Sequence, residues 1–421
     1  MKVLMLSTSD IEGGAARATY RLHQGLQKAG VESQILVRTQ LSDDPSVIGT
    51  KNKIEEQLAH LRTTLDNLPL QLQRQRDRTI FSLQWFPDIV APKVNQINPD
   101  IINLHWINFG FVKIETLAKL NKPLVWTLHD MWAFTGGCHY HEECDRYTQS
   151  CGNCPQLKSE KNQDLSRWVW QRKAKAWQNL NLTVVTPSKW LADCAKASSL
   201  FKNTPIEVIP NGIDIEKYRP INKQIARELL KLPTDKQLLL FGSMKATSDR
   251  RKGFHLLQPA LQNLIQSSWH NKLELVVFGS SQSNRNDLGV KVHYLGQLND
   301  DISIALAYAA ADAFVLPSVQ DNLPNTIVEA IACGTPCVAF NIGGMPDLIE
   351  HQQNGYLAQA FKSEDLAQGI AWVLEHKERH QKLCLNARKK AEQEFTQQLQ
   401  ASRYLSLFEQ ITSMKNSRFL N

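Results

Sequence analysis

The chain of 421 residues lacks several things that would decide its class at once. It has no uninterrupted apolar run of 18 residues, so no segment reads as a membrane-spanning helix. It has no concentrated basic patch and no basic stretch interleaved with aromatics, which argues against nucleic acid as a partner. No G-x-G-x-x-G follows the first strand, and "SDIEGGAAR" does not fit that pattern, so a nicotinamide-dependent dehydrogenase is disfavoured. No D-x-D-type acid pair stands out as a catalytic metal site. The opening "MKVLMLSTSD" loses its apolar character within six residues; it is too short for a secretion signal and reads as a β-strand, with a cytoplasmic location as the expectation. The charge balance is also mild, at +7 with 21% charged and 42% hydrophobic residues. That composition is ordinary for a globular protein, and the small basic excess suits an anionic ligand or a membrane surface.

What is present is a repeated alternation of short apolar runs and helical-period stretches. "VLML" (3–6), "QILV" (34–37), "IINLH" (101–105), "LVWTLH" (124–129) and "LTVVTPS" (182–188) form a first series. The pattern restarts after "VIPNGID" (208–214) with "LLLFGS" (238–243), "LELVVFG" (273–279), "VHYLG" (292–296), "AFVLPS" (313–318) and "TPCVAF" (335–340). Near-continuous apolar strands separated by helices predict an α/β protein with parallel sheets covered on both faces. Two doubly wound, Rossmann-like domains are expected, over 1–207 and 208–398, facing each other across a cleft at their strand ends. The segment 399–421 is expected to be a helix that crosses back and packs, with Tyr404, Leu405, Phe408 and Ile411 on one face. Residues 40–90 interrupt the pattern. Within them, 51–80 carries leucines and a slight basic excess, and reads as either a membrane-surface helix or a solvated helix packed on the first domain.

The stretch "DNLPNTIVEAIACGTPCVAFNIGG" (321–344) carries the sharpest chemical pattern. A helix N-terminus presents unpaired N–H groups and about half a positive charge, and so attracts phosphate. Pro324 fits such a start, Asn325 and Thr326 follow, and Glu329 lies about 7 Å further along the axis. Asp321 stands in the loop ahead. A diphosphate over the helix mouth would have a carboxylate on each flank, and carboxylates are good acceptors for paired hydroxyls. That is the layout of a nucleotide-diphosphate sugar. Taken alone, the same residues also describe an ordinary helix with an acid near its positive end.

"LPSVQDNLPNTIVEAIACGTPCVAFNIGGMPDLIEHQQNGYL" resembles the signature of the retaining glycosyltransferases of family 4, an acid and a Glu separated by seven residues. "RKGFHLL" (251–257), "VIPNGID", "TLHD" (127–130), "DIINLHW" (100–106) and "GGAARATYRL" (13–22) extend the resemblance in order over nearly the whole chain, apart from roughly 40–90. "HDMWAFTGGCHY" and "QDNLPNT" are most similar to exopolysaccharide enzymes of the colanic-acid type. The resemblance implies the two-domain GT-B fold and a nucleotide-sugar donor. Glu329 would hold the ribose. Asp321, where most relatives have Glu, would hold sugar hydroxyls with the N–H groups of Asn322 and Leu323. Lys252 would neutralise the diphosphate, and His129 would contact the transferring sugar. Gly13 and Gly14 would let backbone approach the ligand, and Gln297 would lie near the base. Relatives place an Arg where this chain has Ser243; Arg251, or else Arg250, is the expected substitute. His105 and Trp106 read as cleft lining or core.

The implied reaction retains anomeric configuration without a catalytic metal or a protein nucleophile, and transfers a hexose to a saccharide or lipid-linked saccharide during surface polysaccharide synthesis. Peripheral membrane contact would follow from a lipid-linked acceptor. A non-catalytic sugar-nucleotide-binding subunit and a sugar-nucleotide epimerase are the alternatives. Separately, Cys138, Cys144, Cys151 and Cys154 cluster in the 138–154 loop; a structural zinc, free or redox-active thiols, and disulfides all fit that spacing.

Overall fold

A computed structural model describes residues 1–49, 53–73, 75–242, 249–267, 269–279 and 288–418. Ser243 lies outside these. The chain divides into two compact units, one of Met1–Pro210 with Gln400–Asn421, the other of Asn211–Leu399.

The first unit is built on seven strands: β1 (Lys2–Ser9), β2 (Glu32–Thr39), β3 (Val47–Ile48), β4 (Ile101–Leu104), β5 (Leu124–Thr127), β6 (Leu182–Thr186) and β7 (Ile206–Val208). Their order across the sheet is β3-β2-β1-β4-β5-β6-β7, and the pairing is parallel throughout. Side chains alternate between two buried faces, as a pleated strand requires. Leu4, Leu6, Ile102, Leu104 and Trp126 join one apolar cluster; Val3, Met5, Val125 and Val185 join the other. Helix Gly14–Lys28 covers the second face with Leu22 and Leu26. The helix Gln397–Arg418 covers it too, burying Tyr404 and Phe408 completely while Leu405 and Ile411 pack alongside. Two buried aromatics of that size contribute about 1.5–3 kcal/mol each, enough to hold the returning helix on this unit.

The interrupting region is part of this unit rather than an appendage. β3 pairs with β2, and a helix spans Lys53–Gln71. Its Asp66 is buried and accepts the backbone N–H groups of Gln84, Trp85 and Phe86, while Leu70 enters the main cluster. Leu58, Leu61, Leu68 and Leu72 stay exposed. No helix among the described residues is long and apolar enough to cross a membrane.

The second unit repeats the architecture with six strands: β8 (Gln237–Gly242), β9 (Leu273–Phe278), β10 (Val292–Gly296), β11 (Ala313–Leu316), β12 (Cys337–Phe340) and β13 (Gly355–Ala358), in the order β10-β9-β8-β11-β12-β13. Each unit is therefore a doubly wound parallel sheet. In each the strand order reverses once, between β1 and β4 and between β8 and β11, and ligands in such sheets settle beyond the strand ends at that switch.

Candidate functional site

At the switch of the second unit, β11 runs into Pro317 and the loop holding Asp321, and beside it lies the short turn Arg250–Lys252. Two glycines make the approach possible. Gly253 has φ +74°, and a Cβ there would lie 1.7 Å from the Pro317 carbonyl oxygen. Gly343 has φ +52°, and a Cβ there would lie 2.2 Å from the Asp321 carbonyl oxygen. A side chain at either position would push the loops apart. The backbone then locks: Val319 donates to the Arg251 carbonyl at 2.9 Å and Gly344 to the Asp321 carbonyl at 3.2 Å.

This packing brings two cations onto one buried acid. Lys252 Nζ lies 2.8 Å from Asp321 Oδ2, and Arg251 Nη1 lies 3.5 Å from the same oxygen. Burial alone would raise the Asp321 pKa, but Lys252 and Arg251 outweigh it and hold the carboxyl below its usual value. The backbone N–H of Asn322, expected to serve a sugar, donates to Asp321 Oδ1 at 3.1 Å. Pro324 caps the helix Asn325–Ala332 and brings no side-chain hydrogen bond to it. Pro324 is thus the residue before the first turn rather than in it. Leu323 and Pro324 are buried, Asn325 and Thr326 half-buried, and Asn211 of the "PNG" turn donates to Asn325 Oδ1 at 3.1 Å. Glu329 sits in the second turn of this helix, 4% exposed, and accepts the Tyr308 hydroxyl at 3.2 Å. Gln297 is exposed just past β10, next to Gly296 with φ +68°. Asp321, Lys252 and Arg251 are brought together, while Arg250, in the same turn, is exposed.

At the switch of the first unit, Gly13 (φ +94°) and Gly14 follow β1 and open the helix Gly14–Lys28. Thr8 ties β1 to the segment after β4, donating through its hydroxyl to the Trp106 and Asn108 carbonyls at 2.8 and 3.1 Å. Beyond β5, His129 is drawn into a buried polar chain. Its Nε2 lies 3.0 Å from His105 Nδ1, and His105 Nε2 lies 2.9 Å from Asn103 Oδ1. Asn103 Nδ2 reaches the Val125 carbonyl at 3.1 Å and Thr127 Oγ1 at 3.0 Å, and Thr127 Oγ1 meets the Tyr404 hydroxyl at 2.8 Å. Burial lowers the pKa of His129 to about 4 despite Asp130, and burial, with His129 adding to it, pushes His105 well below its usual value. Both imidazoles are neutral at pH 7.

Asp130, next in sequence, faces another way. It accepts Trp106 Nε1 at 2.7 Å, His139 Nδ1 at 2.6 Å and the Trp132 N–H at 2.9 Å, and His139 Nε2 meets Ser82 Oγ at 2.9 Å. Lys173 pins the loop that follows, donating to the Trp132 and Thr135 carbonyls, with its ammonium 3.7 Å from the centre of the Trp132 ring. Sequence reasoning left His105 between lining and core, gave Tyr404 only a packing role, and did not single out Asn103, Thr127 or Lys173. Their only signal is that several stand at strand ends.

Cys138, Cys144, Cys151 and Cys154 do meet, around one small pocket that His141 and Arg146 also line. All four are free thiols. They are gathered without being set as ligands: among the described residues no group of three or more His, Cys, Asp or Glu side chains is arranged to hold a metal ion.

Comparison with known proteins places both units. The chain is 24% identical over 367 residues to the putative colanic acid biosynthesis glycosyl transferase WcaC of Escherichia coli (strain K12), covering 83% of this chain and 85% of that one. It is 29% identical over 248 residues to the spore coat protein SA of Bacillus subtilis (strain 168), covering 54% of this chain and 64% of that one. Among solved structures, sucrose-phosphate synthase from Thermosynechococcus elongatus shares the fold, with a TM-score of 0.69 at 19% identity, covering 98% of this chain and 100% of that one. Anabaena HepE, solved in complex with UDP and glucose, does so with a TM-score of 0.63 at 19% identity, covering 97% and 99%. The architecture of the two sheets is thus that of the GT-B enzymes. With the Glycosyltransferase Family 4 model matching residues 12–217 and the Glycosyl transferases group 1 model matching residues 235–376, the chain belongs to the family 4, group 1 glycosyltransferases.

Proposed function

We propose that this glycosyltransferase moves a hexose from a nucleotide-diphosphate sugar, with retained configuration, to a saccharide or lipid-linked saccharide in polysaccharide synthesis. The observation that carries the reading is the buried Asp321 with Lys252 and Arg251 at the β8/β11 switch. A ligand that brings phosphate charge can re-partner the two cations while Asp321 turns to sugar hydroxyls. Glu329, held from inside by Tyr308, would accept the ribose. Charge that develops on the leaving diphosphate is met by Lys252, Arg251 and the start of the helix Asn325–Ala332, the kind of preorganised electrostatics that lowers such barriers most. His129 would meet a hydroxyl of the transferred sugar. The reading needs no catalytic metal. Its polysaccharide context is supported by the likeness to WcaC, and its donor class by HepE, which was solved with UDP and glucose. Exposed Leu58, Leu61, Leu68 and Leu72 would suit contact with a membrane carrying the acceptor.

The test is thermal stabilisation by a panel of nucleoside diphosphates and their sugars, with Glu329→Ala alongside. A ligand at 100 times its Kd adds about 2.7 kcal/mol, a visible shift in Tm. One nucleotide series should stabilise the wild-type protein and not the variant; no shift with any of them would sink the donor assignment.

A further inference from the structure

The buried chain Asn103–His105–His129 has a polarity that can be worked out atom by atom. The Val125 carbonyl can only accept, so the Asn103 atom 3.1 Å from it must be the amide nitrogen. The other end of that amide, facing His105 Nε2 at 2.9 Å, is then the oxygen, and His105 Nε2 must carry a hydrogen. His105 is neutral in its burial, so its Nδ1 is bare. The contact of 3.0 Å between His105 Nδ1 and His129 Nε2 needs one hydrogen, and only His129 can supply it. His129, also neutral, therefore has a bare Nδ1.

We propose that His105, fixed by Asn103, is a positioning residue that holds His129 in the Nε2–H tautomer, so that His129 meets a sugar hydroxyl as a hydrogen-bond acceptor and not as a donor or acid. The consequence for the sugar rests on the function proposed above; the tautomer does not. Thr127 and Tyr404 extend the same chain outward. Thr127 Oγ1 accepts from Asn103 and shares one hydrogen with the Tyr404 hydroxyl on the returning helix. That anchors the Asn103 amide in the orientation the argument requires. A neutral imidazole held this way is ready before the ligand arrives, with no proton to move when the hydroxyl docks.

The experiment is nitrogen-15 NMR of the full chain with labelled histidine, the His129 and His105 signals being assigned from His129→Gln and His105→Gln. The expected result at pH 7 is a protonated Nε2 and a bare Nδ1 on His129; the reverse tautomer, or an imidazolium, overturns the proposal. Asn103→Asp is the sharper variant. A carboxylate there favours a charged His105, whose Nδ1 must then donate to His129, so the His129 signals should exchange their pattern. A folded Asn103→Asp protein with an unchanged His129 pattern would show that His105 does not set the tautomer. Should that variant fail to fold, the wild-type spectrum still decides. Kinetics separate the two proposals. Wild-type protein that transfers no sugar overturns the proposed function and leaves the tautomer standing, whereas His129→Ala that transfers like wild type removes the sugar role of His129 alone. If His129→Ala loses at least tenfold in kcat and the tautomer is reversed, the positioning role falls alone.

Discussion

In the 211–399 unit the candidate acid is an anion gripped by two cations, Asp321 with Lys252 and Arg251. In the other unit the candidate base is an imidazole without charge, His129 held by a second neutral imidazole and an amide. Both groups lie at the carboxyl ends of parallel strands, Asp321 buried and His129 half-buried, yet the fold treats them oppositely. The charged cluster can exchange one partner for another, so it suits a ligand that arrives with charge of its own. The neutral chain can only offer or withhold a hydrogen bond in a fixed direction, so it suits a hydroxyl. The loops follow the same division. Gly253 and Gly343 press three charged side chains together, whereas in the first unit strand ends and the returning helix set the geometry.

The largest effect should come from breaking the charged side. Lys252→Ala removes the 2.8 Å partner of Asp321 and the main counter-charge for a leaving diphosphate, and should lower kcat by about 10²–10³, the usual loss when one preorganised stabilising group is removed. Steady-state turnover with the donor identified by thermal shift measures it. His129→Ala should cost less, because it removes one neutral hydrogen bond. If His129→Ala proves the more damaging of the two, the contrast drawn between the units is wrong.

The charged side was also the more legible one. "RKG", "DNLPNT" and "GG" are contiguous runs, and adjacency in sequence kept Asp321, Lys252 and Glu329 visible as candidates. Their pairing was not visible, because whether Lys252 faces a phosphate or Asp321 depends on how the turn packs against β11. Tyr308 behind Glu329 was hidden for the same reason. The strands of both sheets could be read from their apolar runs, except β3, β7 and β13, which are short and sit at or near sheet edges where the pattern has little length to show. The chain from Asn103 to Tyr404 spans some three hundred residues of sequence. Each member looks like an ordinary core polar residue until the sheet brings them into line.

Acid should distinguish the units next. His129, with its pKa lowered to about 4, takes up a proton more readily unfolded than folded. Its share of stability is full above the ordinary histidine value of about 6.5 and is lost as pH falls toward about 4; the full loss is on the order of 3 kcal/mol. His23, buried between Ser33 and Ser46 and also lowered to about 4, adds to this slope, and His380 in the second unit adds in the same direction. Asp321, whose pKa is also lowered, loses its contribution in the same direction but in a more acid window, from the ordinary carboxylate value downward. Between pH 6.5 and about 4.5 the melting temperature should therefore fall mostly through histidine protonation. Hydrogen exchange should show β4 and β5 loosening before the Asp321 loop. His129→Gln should flatten the slope, and an unchanged slope would count against the buried neutral pair.

The smallest effect concerns the thiols of the first unit, where neutrality is again imposed by burial. Burial pushes Cys154 up to about 11 and Cys151 up to about 12, with Lys173 opposing it only in part, and pushes Cys138 higher still. Since the thiolate is the reactive form, native protein kept in reductant should alkylate slowly at these three positions near pH 7.5 and promptly after denaturation. Mass spectrometry of the modified peptides reads this directly, and rapid native labelling would show that the pocket does not bury them. A chelator control then separates two causes of protection. Labelling that quickens on chelation, with about one zinc per chain by metal analysis, would mean that Cys138, Cys144, Cys151 and Cys154 give up their protons on binding a zinc ion, leaving a net negative centre that Lys173 and Arg146 balance. Labelling indifferent to chelator would mean that packing alone keeps them neutral, as it does the histidine pair nearby in sequence.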